Sequence, residues 1–175
     1  MKIFVSATEA KAPRTKTSGQ MAYVLAALLT IMLIGQLFTF ETFIEWIASL
    51  NLPLNDMGVY LTASIIVITE LLALPFLLRM SLSPAFRWVS MVFGWIAVSV
   101  WVFFASWTLF VVASDLIAFI GTVAPVAPGW WALLFSIATA ILTAWAAWGL
   151  WPGGTAGKKQ LPKASGKRMI GITKD

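Results

Sequence analysis

Four long apolar runs constrain this chain more than any other feature of its sequence. They extend approximately from Met21 to Phe40, from Met57 to Leu78, from Phe86 to Val112 and from Trp130 to Leu150. Each run is long enough for a helix to cross the roughly 30 Å hydrocarbon core of a bilayer. Sixty per cent of the residues are hydrophobic and 11% are charged, which is more apolar surface than a water-soluble domain of this length buries.

The runs predict an all-α integral membrane protein, a four-transmembrane-helix bundle in which residues 21–151 form one membrane domain. Residues 1–20 form a basic N-terminal arm, and residues 152–175 form a basic C-terminal tail that is rich in Gly and Lys. Such a composition buries too little apolar surface to fold, so we expect the tail to be disordered when alone. The arm and tail are interpreted as topology signals that also contact anionic lipid headgroups, in preference to a nucleic-acid or acidic-partner docking site.

The basic residues indicate how the helices are oriented. All 12 of them lie in the arm, in the tail, or in the connection that carries Arg79 and Arg87. The other two connections carry only acidic charge, from Glu41, Glu45, Asp56 and Asp115. By the positive-inside rule, both termini and the Arg79 connection are predicted to be cytoplasmic, in a bacterial-type inner membrane.

The chain has no cysteine and no histidine. Disulfide, thiol-relay and iron–sulfur chemistry are therefore excluded for its own side chains. Haem, copper and zinc would have to rely on Met or carboxylate ligands alone, which suit these metals poorly, so no bound metal is expected.

A short amphipathic segment follows the first span. Phe40, Phe43, Ile44 and Ile47 share one helical face, and Glu41 and Glu45 occupy another. We expect an interfacial helix whose apolar face lies in the headgroup boundary with Trp46 as its anchor. A lid over an outward-facing site is the alternative.

Glu70 is the charged side chain that lies deepest in an apolar run, and Pro75 follows it in the same predicted helix. A carboxylate in hydrocarbon costs on the order of 3 kcal/mol, so Glu70 must be neutral, paired or beside a polar cavity. Gln36 in the first span is its predicted partner, because neighbouring antiparallel helices bring the two to similar depths. Pro75 cannot donate a helical hydrogen bond, which predicts a kink and a free carbonyl at Leu71. Glu70 is therefore either a functional group or a structural hydrogen-bonding residue.

Small residues form stripes on the last two spans. The predicted helix-packing residues are Ser90, Gly94 and Ala97, then Ala132, Ser136, Ala140 and Ala144. Small side chains let membrane helices approach closely, so these faces are predicted to pack helix on helix. Three deep tryptophans, Trp95, Trp101 and Trp145, could face lipid, line a site for a flat ring, or pack on a partner subunit.

The stretches Ile34-Gly-Gln-Leu-Phe, Phe43 to Pro53, and Ile68-Thr-Glu-Leu-Leu-Ala-Leu-Pro-Phe-Leu-Leu-Arg79 resemble the DoxX family, with its DoxD and MauE relatives. The resemblance covers 27–112 and departs from the family pattern at Gln36, where a lysine is expected. It implies a four-helix membrane protein beside membrane redox chemistry. If electrons pass through such a protein, the resemblance implies a bound quinone with Glu70 as proton donor or acceptor and Gln36 or Tyr60 as hydrogen-bonding groups.

Two functions remain open from the sequence. The first is a non-catalytic accessory subunit that packs against a larger membrane complex, and it is preferred because no constellation of reactive residues surrounds Glu70 in the sequence. The second is a quinone-binding subunit of a membrane oxidoreductase that uses Glu70. The expected partners are membrane lipids and other membrane subunits but no nucleic acid, and the chain is not expected to be an enzyme on its own.

Overall fold

The computed structural model describes residue 10, residues 12–112 and residues 116–152. The predictions for the C-terminal tail and for most of the N-terminal arm lie outside these residues. The elements are α1 (Lys16–Phe38), α2 (Phe40–Ser49), α3 (Asp56–Leu77), α4 (Pro84–Phe110), β1 (Ile117–Thr122), β2 (Ala124–Val126) and α5 (Trp130–Gly149). Within the described part, α1, α3, α4 and α5 are long and apolar enough to cross a membrane. The predicted all-α bundle of four spanning helices is confirmed, and the chain is a multi-pass membrane protein.

Local sequence sets where three of the spanning helices begin. Thr15 accepts a hydrogen bond from the Ser18 N–H at 3.1 Å, and Asn55 accepts one from the Gly58 N–H at 2.8 Å. Ser83 caps α4, whose first residue is Pro84, the residue best suited to that position. These caps satisfy N–H groups that have no partner inside the helix.

The spanning helices form a closed ring in the order α1, α3, α4, α5, each packing against its two neighbours. We call the end where α1 and α4 begin and α3 and α5 end the terminal face. The Arg14 N–H donates to the Gly149 carbonyl there at 3.0 Å, and the rings of Trp88 and Trp151 meet at 5.1 Å. The opposite end, with α2, β1 and β2, is the hairpin face.

Apolar side chains cover the outside of the bundle. Leu61 and Ile141 are more than half exposed, and Ile31 on α1 is 54% exposed. Inside, small residues such as Ala22, Ala63 and Ala97 are fully buried. A water-soluble protein would bury many of these large apolar side chains and expose polar ones. In a bilayer the exposed apolar side chains contact lipid.

Helix α2 is amphipathic as predicted, but the prediction of what covers its apolar face is wrong. Phe43 and Ile47 have no exposed surface and Trp46 is 5% exposed, because α3 and β1 of the same chain pack against them. Glu41 and Glu45 point outward. The periodicity identified the apolar face but could not tell lipid from protein as its neighbour.

A two-stranded hairpin between α4 and α5 was not predicted. Strand β1 pairs with β2 in antiparallel fashion, with Ile117 opposite Val126 and Ile120 opposite Ala124. Ile117, Ala118 and Phe119 are at most 1% exposed. The first strand therefore inserts into the hairpin face of the bundle and lies in the protein core.

Helix α3 continues through Pro75, and a side chain of the neighbouring helix α4 bonds to the backbone around it. Ser90 on α4 accepts from the Phe76 N–H at 3.1 Å and donates to the Leu72 carbonyl. Phe76 and Leu72 are four residues apart, so the serine hydroxyl is inserted between the two groups that would otherwise bond directly. Ser90 thus performs a more specific role than the predicted close packing.

Candidate functional site

The predicted pairing of Gln36 with Glu70 is present. Gln36 lies in the last turn of α1 and Glu70 lies in α3, and neither side chain has any exposed surface. The Gln36 Nε2 group donates a hydrogen bond to Glu70 Oε1 at 3.1 Å. Two polar residues in separate apolar runs meet because each would otherwise leave a polar group unsatisfied in hydrocarbon.

Trp101 completes the contacts of the carboxyl group. Its indole Nε1 donates to the same oxygen, Glu70 Oε1, at 2.7 Å. Gln36 Nε2 also donates to the Phe119 carbonyl at 3.1 Å. A single cluster of hydrogen bonds therefore ties α1, α3, α4 and β1 together at one buried point.

Two oxygens of this cluster accept no hydrogen bond. Glu70 Oε2 and Gln36 Oε1 are both buried, and no described residue donates to either of them. No lysine or arginine of the described chain contacts Glu70, whose two donors are both neutral. The cluster thus presents two adjacent side chains with unused acceptor capacity, which a group carrying O–H or N–H could satisfy.

An aromatic cluster covers the site on the side of the hairpin face. Its members are Phe43, Trp46, Trp101, Phe104 and Phe119. Trp46 stacks near Trp101 with ring centroids 6.1 Å apart, and Phe119 lies 4.8 Å from Trp101. The Trp46 indole N–H donates to the Leu116 carbonyl at 3.0 Å, which fixes the ring beside the hairpin. These rings hold the Trp101 donor in place and separate Glu70 from the hairpin face.

Glycines allow the hairpin to approach α1 closely. A Cβ atom on Gly35 would overlap the Ile120 backbone, and one on Gly121 would overlap Gly35 and Thr39. Gly121 also has φ of +59°, a conformation that favours glycine. The Thr122 N–H donates to Thr39 Oγ1 at 3.0 Å. The backbone of β1 therefore lies directly against the end of α1 that carries Gln36.

Tyr60, the third predicted ligand-binding residue, does not join this cluster. It lies ten residues before Glu70 in α3, which is about 15 Å along a helix, and its side chain is 57% exposed. The Ser64 hydroxyl donates to the backbone carbonyl of Tyr60 at 2.9 Å. The structure brings Glu70 and Gln36 together and leaves Tyr60 on the outer surface.

The predicted packing stripe on α4 agrees with the structure, since Ser90, Gly94 and Ala97 are all buried. On α5 the prediction holds for Ala132 and Ser136 only. Ala140 is partly exposed and Ala144 is exposed, and the buried face continues through Thr139, Thr143, Ala146 and Ala147. Strict four-residue spacing advances about 40° per step around a helix of 3.6 residues per turn, so it leaves the buried face after two steps.

Trp101 and the Phe119 carbonyl are the site groups that the sequence did not reveal. Trp101 was one of three deep tryptophans, and the other two, Trp95 and Trp145, are 39% and 48% exposed on the outer surface. A tryptophan N–H in hydrocarbon needs an acceptor, and among the described residues Glu70 is the one buried acid. That requirement is the signal that could have linked Trp101 to Glu70. No sequence spacing indicated the hairpin.

Comparison of this chain with family models, with curated proteins and with solved structures finds no match.

Proposed function

We propose that this chain is a non-catalytic accessory subunit of a larger membrane complex, with a packing and docking role beside redox chemistry. The observation that supports this most is the closure of the Glu70 site. Its carboxyl group has no exposed surface and is bound by Trp101 and Gln36, whose positions are fixed by the aromatic cluster and the hairpin. A group that transfers protons must come within hydrogen-bonding reach of its substrate, and Glu70 Oε1 already accepts from two side-chain donors.

The cluster has the form of a structural device. The bond between Gln36 and Glu70 joins α1 to α3, and the bond from Trp101 joins α4 to the same carboxyl oxygen. The second bond from Gln36 joins β1 to α1. Such buried polar contacts determine which helices are neighbours and in what register they pack. Their net contribution to the free energy of unfolding is modest. Glu70 is accordingly assigned to the architecture of the subunit.

A surface for a partner subunit is offered by the outer side of α4. Val92, Trp95, Ile96, Ser99, Val100 and Phe103 line a shallow apolar groove of about 560 Å³. Ser99 is the small residue between two aromatic side chains, a pattern into which a side chain of another membrane helix can insert. The subunit would contribute this face and its lipid contacts to a complex in the inner membrane, with both termini in the cytoplasm.

The test is to isolate the protein in mild detergent from its native membrane and identify co-purifying proteins by mass spectrometry. We expect stoichiometric larger subunits, and we expect Glu70→Gln to retain them because glutamine keeps an acceptor oxygen for Trp101 and Gln36. Ser99→Trp fills the groove and should release the partner. Ile137→Trp places the same tryptophan side chain on the outer side of α5 and is the control. A solitary protein, or unchanged assembly in Ser99→Trp, would contradict the proposal.

The two unused acceptors favour one alternative, a quinone-binding subunit. The hydroxyl groups of a reduced quinone could donate to Glu70 Oε2 and Gln36 Oε1, the two buried oxygens without donors. This alternative predicts a quinone in extracts of the purified protein, and its loss from Glu70→Gln with the fold intact. Quinone-free protein, or equal quinone content in the variant, would exclude the alternative without affecting the accessory role.

A further inference from the structure

Arg79 closes helix α3 in a conformation that usually belongs to glycine. Its N–H donates to the Phe76 carbonyl at 3.1 Å, and the Met80 N–H donates to the Pro75 carbonyl at 3.0 Å. These two bonds are those of a Schellman motif, with Arg79 as the left-handed residue at φ of +57°. The turn therefore directs a long cationic side chain from the terminal face at a position where glycine would be less strained.

The guanidinium group of Arg79 has no anionic partner among the described residues. Its Nε atom is buried without an acceptor, and no described residue forms an ion pair with it. A buried charged donor without an acceptor is more costly than a neutral one. A planar guanidinium group can donate two parallel hydrogen bonds to the oxygens of a phosphate or a carboxylate. The acceptor expected for Arg79 is therefore one of these two anionic groups.

The surroundings of Arg79 are those of a membrane surface. The flanking Leu78 and Met80 are 44% and 52% exposed, although both are apolar. Trp88 and Trp151, partly exposed and in edge contact, lie at the same face, where tryptophan marks the headgroup level. A ligand that binds Arg79 here would therefore contact the apolar side chains of Leu78 and Met80 as well as the guanidinium group.

The charges of the described residues are divided between the two faces. The terminal face carries the cationic side chains of Arg14, Lys16, Arg79 and Arg87. The acids outside the hydrocarbon, Glu41, Glu45 and Asp56, lie at the hairpin face. No described acid lies at the terminal face to compete for Arg79, so its positive charge favours an anion from outside the described residues.

We propose that Arg79 binds the phosphate group of an anionic phospholipid, with Leu78 and Met80 contacting the adjoining acyl chains. Arg79 is only partly buried, and the N–H groups at the end of its guanidinium donate to two phosphate oxygens. Anionic lipid is the source of phosphate that satisfies both the charge and the apolar border. A soluble phosphate would satisfy the charge alone. This inference is independent of the accessory role and of the Glu70 site.

The test measures thermal unfolding of the purified protein in detergent micelles with phosphatidylglycerol, phosphatidylcholine or glycerol 3-phosphate added. Wild-type protein should be stabilised in a saturable way by phosphatidylglycerol and by neither of the other two. Arg79→Gln should weaken the apparent affinity for phosphatidylglycerol by about tenfold to a hundredfold, the effect of losing a charge-assisted contact. Equal stabilisation by glycerol 3-phosphate would overturn the lipid assignment in favour of a soluble phosphate.

Two glycine variants separate lipid binding from folding. Arg79→Gly suits the positive φ, so it should fold at least as well as wild type in plain detergent and still lose the response to phosphatidylglycerol. Asn51→Gly is the matched control, because Asn51 has a φ of +49° at the hairpin face. It should keep the full response. An unchanged response in Arg79→Gly, or an equal loss in Arg14→Gln through net charge alone, would overturn the proposal.

Discussion

Trp101 donates its indole N–H to Glu70 Oε1 at 2.7 Å, and both side chains are almost completely buried. The bond crosses from α4 to α3 in the buried interior of the bundle. Gln36 supplies the second donor to the same oxygen at 3.1 Å. The carboxyl group is thereby the point at which spanning helices that would otherwise slide on apolar surfaces acquire a defined register.

Trp101→Phe should destabilise the protein by about 1–3 kcal/mol, because it removes a buried donor and keeps most of the ring packing. Trp107→Phe is the control, since Trp107 donates to the Leu50 carbonyl at 2.9 Å in a less buried position. We expect its cost to be smaller. Denaturant titration in detergent micelles measures both, and equal costs would mean that the Glu70 contact adds nothing special.

Gly35 and Gly94 should respond in opposite ways to the same substitution. Gly35→Ala places a methyl group on the Ile120 backbone, so it should cost about 1–3 kcal/mol and detach the hairpin. Gly94→Ala places its methyl group 3.6 Å from Ala73 Cβ, an ordinary contact. It should be neutral, or stabilising by up to about 1 kcal/mol through helix propensity. Limited proteolysis of the hairpin, alongside unfolding curves, distinguishes the two variants.

Ser90→Ala tests the hydroxyl inserted into α3. Loss of the bonds to Phe76 and Leu72 should cost about 0.5–1.5 kcal/mol. Ser64→Ala is the control, because the Ser64 hydroxyl lies on α3 itself and donates only to the Tyr60 carbonyl of that helix. It should change the unfolding free energy by less than Ser90→Ala does. A Ser90→Ala variant as stable as wild type would show that α3 closes its own ladder without help.

The buried face of α5 can be mapped with two leucine substitutions. Ala146 has no exposed surface, so Ala146→Leu should overpack the bundle at a cost of about 1–3 kcal/mol. Ala144 is exposed, and Ala144→Leu should stay within about 0.5 kcal/mol of wild type. The reverse order in thermal unfolding would restore the strict four-residue stripe that the sequence indicated.

Most of the membrane fold could be predicted from local sequence, whereas much of the site depends on contacts between distant segments. The spanning helices follow from apolar length, and the Gln36–Glu70 pair follows from two polar residues in adjacent spans. The hairpin has no such signal, because its apolar residues look like any short buried segment and its position depends on close contact with Gly35. The role of Trp101 depended in turn on that hairpin, since Phe119 packs on its ring.

Orientation is the last property that the charge pattern predicts and that a direct experiment can decide. The chain has no cysteine, so single substitutions can be labelled without background. Glu45→Cys is exposed at the hairpin face, and Ser81→Cys is exposed at the terminal face. If the basic terminal face is cytoplasmic, an impermeant maleimide should label Glu45→Cys in intact spheroplasts and Ser81→Cys only after the membrane is permeabilised. Labelling in the opposite order would invert the topology and place the Arg79 site in the outer leaflet, where the bound phospholipid would have to be supplied from that side.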